Sequence, residues 1–117
     1  MNGGDEVTVQ RFSQFSLAQL PATVAFYNPP AVNKAMDRLM QEIGAESVKV
    51  LILDLGKIEN CGSQLLTLLV HLHIRAKKVN KVCRVCAAKQ FVANVIKSMG
   101  LNTIFPLYAT KEEALKA

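Results

Sequence analysis

The run "VKVLILDL", Val48 to Leu55, constrains this chain more than any other stretch. A near-continuous apolar segment of strand length marks a central strand covered on both faces, because a one-sided strand would alternate with polar residues. The junction "IENCGSQLL" then leads at once into "LLTLLVHLHI", a second segment that reads as buried. A strand buried on both sides needs a layer on each side, and helices packed on a parallel sheet supply them.

The remaining elements fit that frame. "EVTVQRF" alternates apolar and polar residues and reads as an early strand at an edge. "ATVAFY" reads as a second strand, stopped by "NPP". Asn28 and the two prolines open a helix in which Val32, Ala35, Met36, Leu39, Met40 and Ile43 recur at three- and four-residue spacing, with Gly44 as its stop. A second helix is expected from Ser63 to about Asn80, a short strand at "KVCRVCA" and a third helix at "KQFVANVIKSMG". In that third helix Phe91, Val92, Val95, Ile96 and Met99 form the apolar face, with Gly100 at its end. "IFPLYA" gives a last short strand and "KEEALKA" a final helical turn or two. The fold class expected is α/β: a single domain over residues 1–117, with a mixed, largely parallel sheet of four to five strands covered by about four helices. Residues 1–6 are expected to be a flexible N-terminus.

At 117 residues, half of them apolar, the chain can build one real core. The N-terminus has no basic segment followed by an apolar stretch, and no apolar run is long enough to span a bilayer, so a soluble, cytoplasmic protein is expected. The net charge of +5 is unevenly placed. From Asn60 to Thr110 there is no acidic residue, against Arg75, Lys77, Lys78, Lys81, Arg84, Lys89 and Lys97. Such a field suits an acidic protein, a phosphate-bearing ligand or simply a solvated face. Nucleic acid is not expected, because no aromatic residues interleave the basic ones.

Enzyme chemistry finds no purchase. Three cysteines, without a disulfide-framework spacing, point to a reduced setting. Cys83 and Cys86 lie three apart on an expected strand, so their thiols should face opposite ways and not form a redox pair. His71 and His73 lie two apart on a helix, on nearly opposite sides, and cannot chelate one ion together. No glycine-rich phosphate loop and no serine–histidine or paired-carboxylate constellation can be argued from spacing. No metal, no cofactor and no catalytic residue is expected.

The polar junction is the candidate site. Gly62 permits a sharp turn and Ser63 stands where the N-cap of the second helix is expected, a role worth roughly 1 kcal/mol. A phosphate there would also gain from the helix dipole and free N–H groups, and would add about −1.5 to −2 charges.

Three stretches carry a resemblance. "VLILDLGKIENCGSQLL" resembles the segment of STAS domains in which a strand ending Leu-Asp-Leu leads to Asp-Ser-Ser/Ala-Gly-Leu at a helix start. "VIKSMGLNTIFPLYATKEEAL" is similar to their C-terminal segment, and "FYNPPAV" sits where they carry a loop before the first helix. The resemblance covers most of the chain from about residue 20. That family includes the bacterial anti-sigma-factor antagonists and the cytoplasmic domain of sulphate transporters. The resemblance places Asp54 on the Leu-Asp-Leu aspartate and Ser63 on the serine that a partner kinase phosphorylates in the antagonists. Gly62, Gln64 and Leu65 depart from the family pattern.

The resemblance implies a regulatory protein–protein interaction domain whose partner is an anti-sigma factor, a serine kinase or another STAS-type signalling protein. It implies no direct membrane insertion and admits weak homodimerisation. Contact residues expected are Asn28, Glu59, Asn60, Cys61, Gly62, Ser63, Gln64, Leu65 and Leu68. The alternative is an unswitched adaptor in a signalling or transport-associated complex, with Ser63 only a cap. Nucleotide binding is a distant third, resting on the basic second half.

Overall fold

The computed structural model describes residues 6–117; the expected flexible N-terminus lies, except for Glu6, outside the described residues. Five strands, β1 (Thr8–Phe12), β2 (Phe15–Gln19), β3 (Val50–Asp54), β4 (Val82–Cys86) and β5 (Leu107–Tyr108), form one sheet in sequential order. The β1–β2 pair is an antiparallel hairpin, and β2 through β5 run parallel. Among the described residues four α-helices accompany the sheet: α1 (Pro29–Gly44), α2 (Ser63–Lys78), α3 (Gln90–Ser98) and α4 (Lys111–Lys116).

β3 sits at the centre with all five residues buried, as its unbroken apolar run requires. Leu51 and Leu53 face one layer, joined by Ala18, Cys83 and Val85 from the neighbouring strands. Against them pack Ala35, Leu39 and Ile43 of α1, Leu65, Leu68, Leu69 and Leu72 of α2, and Val92 and Ile96 of α3. On the opposite face Leu17, Val50, Ile52 and Cys86 pack with Ala114 of α4. The sheet therefore has a thick cover on one side and one short helix on the other.

The structure corrects several local expectations. The second strand is not "ATVAFY" but Phe15–Gln19; Ala22–Val24 is a single 3-10 turn crossing the end of the sheet. In α3, Val92 and Ile96 are buried while Phe91 and Met99 stay exposed, because a nine-residue helix turns too narrow a stripe inward to hold all five. Gly44 is the last residue of α1, yet no left-handed turn follows; Ala45 is extended. The Lys81 ammonium instead donates to the carbonyls of Ile43 and Ala45, satisfying the helix end. Gly100 does adopt the left-handed conformation, with φ of 74°, at the end of the third helical segment.

Candidate functional site

The loops that follow β2, β3 and β4 gather at the carboxyl ends of these parallel strands, where open α/β sheets present their binding residues. Leu20 N–H donates to the Asp54 carbonyl, and Leu55 N–H to the Cys86 carbonyl, so each strand exit is tied to its neighbour. Asp54 then shapes the junction. Its Oδ1 accepts the Gly56 N–H at 2.8 Å, and a Cβ on residue 56 would lie 3.0 Å from that oxygen. The tight Asp54 turn thus calls for a glycine at 56. Ile58 is buried beneath the loop, and Lys89 reaches across to Glu59 in an exposed ion pair of 2.5 Å.

The chain enters α2 one residue earlier than the sequence suggests. Gly62, extended at φ −109° and ψ −167°, is the N-cap, and it offers no side-chain acceptor. Its own N–H donates to the Ala25 carbonyl at 2.9 Å, which clamps the junction to the loop after β2. The ring of Phe26 lies over it, since a Cβ on residue 62 would come within 3.3 Å of that ring. Ser63 is consequently the first helical residue rather than the cap, and its side chain is exposed. With no side-chain cap and no acidic residue in the first turn, the leading N–H groups of α2 meet no side-chain acceptor among the described residues.

Of the expected contact residues, Glu59, Asn60 and Ser63 are exposed, and Asn28, Gly62 and Gln64 are half-buried. Asn28 caps α1, its Oδ1 accepting the Ala31 N–H at 3.3 Å. Cys61, Leu65 and Leu68 are buried in the core rather than presented at the surface. Leu65 and Leu68 fall on the inward face of α2, whereas the outward face continues from Ser63 through Thr67, Val70 and His71, with the buried Leu66 at its edge. Those residues, with Met99 and Leu101, line a shallow groove of about 310 Å³. Helical spacing counted from Ser63 itself would have found Thr67, Val70 and His71, which lie on the same helix. Phe26 and Tyr27 also stand out beside the junction, Tyr27 being 83% exposed.

The thiols and imidazoles lie as their spacing predicts. Cys83 and Cys86 are buried on opposite faces of the sheet. Burial pushes each of these thiols up to about 12, so neither is a thiolate near neutrality. His71 is on the outer groove, while His73 packs its ring 6.1 Å from that of Phe105. Among the described residues, no helix is long and apolar enough to cross a membrane.

Comparison with known proteins agrees with this architecture. A search among curated proteins finds no match. Among solved structures, an anti-sigma-factor antagonist (STAS) domain protein from Planctomyces limnophilus is similar at 24% identity and a TM-score of 0.77, covering 94% of each chain. A putative anti-sigma factor antagonist from Thermotoga maritima superposes with a TM-score of 0.81 at 14% identity, over 94% of this chain and 92% of that one. The Bacillus cell fate determinant SpoIIAA in its phosphorylated form gives 0.70 at 15% identity, over 94% and 96%. These likenesses establish the shared fold. The STAS domain family matches residues 8–114, nearly the whole length, and this chain belongs to that family.

Proposed function

We propose that this chain is a cytoplasmic regulatory binding protein rather than an enzyme, and that it engages an anti-sigma factor or switch kinase through the surface around Ser63. Phosphorylation of Ser63 would release the partner. The observation that carries this reading is the placement of Ser63: an exposed hydroxyl at the start of α2, beside uncapped N–H groups and at the mouth of an apolar groove. A phosphate there would be stabilised by the helix dipole while changing the groove's edge by about −1.5 to −2 charges. A relative of the same fold has been solved in a phosphorylated form, which supports a modification of this kind.

Where antagonists carry aspartate beside the serine, this chain has Gly62 beneath the Phe26 ring. The partner therefore meets an aromatic lip, Phe26 and Tyr27, rather than a carboxylate. Phosphopeptide mass spectrometry on the protein from its own cells, during growth and stress, tests the switch. The expected result is a Ser63 phosphate whose occupancy changes with conditions. Ser63→Glu should weaken partner binding, whereas Ser63→Ala should leave it intact and shift stability by less than about 0.5 kcal/mol, since no cap bond is lost. A well-covered Ser63 peptide that is never modified would favour the unswitched adaptor.

A further inference from the structure

The outward face of α2 is built as two parallel rows. Ser63, Thr67, His71 and Arg75 repeat at four-residue intervals, and beside them run Val70, Ile74 and Lys78, a row that begins at the buried Leu66. Rows of this kind enclose the channel into which a second helix sets its own ridge. Two depressions follow that channel and meet at His71. One, toward Ser63, is walled by Leu66, Val70 and Met99; the other, about 270 Å³, is bounded by Met40, Ile74, Arg75 and Lys78. Apolar surface is left uncovered along it, with Met99 at 63% and Ile74 at 47% exposure.

The charge of this half of the chain is one-sided. Between Asn60 and Thr110 there are seven basic residues and no acidic one. Three of the seven have structural work: Lys81 closes the end of α1, Arg84 donates to the Ala114 carbonyl at 2.8 Å, and Lys89 pairs with Glu59. Among the described residues the side chains of Arg75, Lys77 and Lys78 form no hydrogen bond or ion pair. Their place in the last turn suits the helix dipole, but that role is met by exposed ammonium groups anywhere around the turn. Arg75 and Lys78 in particular border the apolar channel.

The geometry points to an acidic amphipathic helix of a partner protein as the occupant of this channel: its apolar side would lie on Val70, Ile74 and Met99, and its carboxylates on Arg75 and Lys78. This rests on the reading that the exposed face of α2 is the docking surface, and it adds the chemistry of what docks. The twelve residues from Ser63 to Arg75 span about 18 Å of helix, more than twice the screening length of about 8 Å at physiological salt. A phosphate on Ser63 would therefore act on the other end of the bound helix, leaving the basic anchor unneutralised. The two ends can be tested separately.

The test uses the whole, unmodified protein, labelled with 15N, and two synthetic 16-residue amphipathic helical peptides. They share one leucine-rich face and differ only in carrying Glu or Lys at the flanking positions. The Glu peptide should give saturable shifts at the amides of Leu66, Val70, Ile74 and Arg75, with a Kd about tenfold below that of the Lys peptide. The Arg75→Glu/Lys78→Glu variant should abolish or invert that preference. Lys77→Glu, a similar charge reversal outside the channel, should preserve it. Equal binding of the two peptides, shifts centred elsewhere, or a preference that survives Arg75→Glu/Lys78→Glu would overturn the proposal. So would sedimentation showing a dimer that Ile74→Asp dissolves, because the occupant would then be a second copy. None of these readouts involves modification of Ser63, so a failure here leaves the phosphorylation switch standing, and an unmodified Ser63 leaves this result interpretable.

Discussion

Glu42 is taken almost completely out of water, at 1% exposure, and it keeps its charge there because every bonding direction is filled. Arg11 donates from Nε and Nη2 at 2.9 Å each, Ser16 Oγ at 2.6 Å and Arg38 Nη1 at 2.6 Å. The Arg11 hydrogen bond, helped by Ser16 and Arg38, outweighs burial and holds the carboxyl at about 2, well below its ordinary 4.5. A folded value below the unfolded one gives stability that is complete above about pH 5 and drains away as pH falls from 4.5 toward 2. Both arginines are nearly half exposed, so solvent screens the pairs and the loss should be about 2 kcal/mol. Urea melts between pH 6 and 2.5, set against Glu42→Gln, check this. The variant should be weaker by roughly 2–3 kcal/mol at pH 6 and should approach the parent near pH 2.5. A constant gap across that range would remove Glu42 as the titrating group.

That cluster also explains which elements the sequence revealed. Central β3 and the amphipathic α1 were legible because local pattern and burial agree: the apolar run lies in the sheet, and the three-and-four spacing lies against it. β2 was not, because "FSLAQ" places Ser16 on a fully buried face, and only Glu42, 26 residues away, makes that tolerable. "ATVAFY" has the composition of a strand, yet it folds as a turn that buries Val24 and Ala25 and turns Phe26 and Tyr27 outward. At the candidate site the exposed serine is legible in the sequence, but its spatial neighbours follow the helix rather than the chain: Leu65 and Leu68 turn inward, while Thr67 and His71 share the side of Ser63. The β1–β2 hairpin carries its own prediction. Phe12 pairs with Phe15 across a two-residue turn, and Ser13 is held there at φ 54°. Glycine adopts such a conformation without the Cβ clash, so Ser13→Gly should raise stability by up to about 1 kcal/mol. A matched pair of chemical-denaturation curves decides it, and a loss of stability would mean that the serine side chain supports the turn.

On the scale of the whole molecule, the two faces of the sheet are covered unequally, and the cysteines report on each. Cys83 lies under the α1–α2–α3 layer, and Cys86 on the face closed by α4. α4 has only six residues, too few to be stable alone, so it holds by docking. Thr110 Oγ1 accepts the Glu113 N–H at 3.1 Å, Arg84 donates to the Ala114 carbonyl, and the Ala114 methyl is fully buried against the sheet. Ala114→Asp would drive a carboxylate into that apolar contact and lift the helix away. Cys86 alkylation by iodoacetamide, followed peptide by peptide, should then quicken roughly tenfold or more, equivalent to about 1.4 kcal/mol of lost local protection. Cys83 should stay protected, because its own layer does not involve α4. Labelling of both thiols in step would show instead that the layers open as one cooperative unit, with this short helix supporting the entire core from the far side of the sheet.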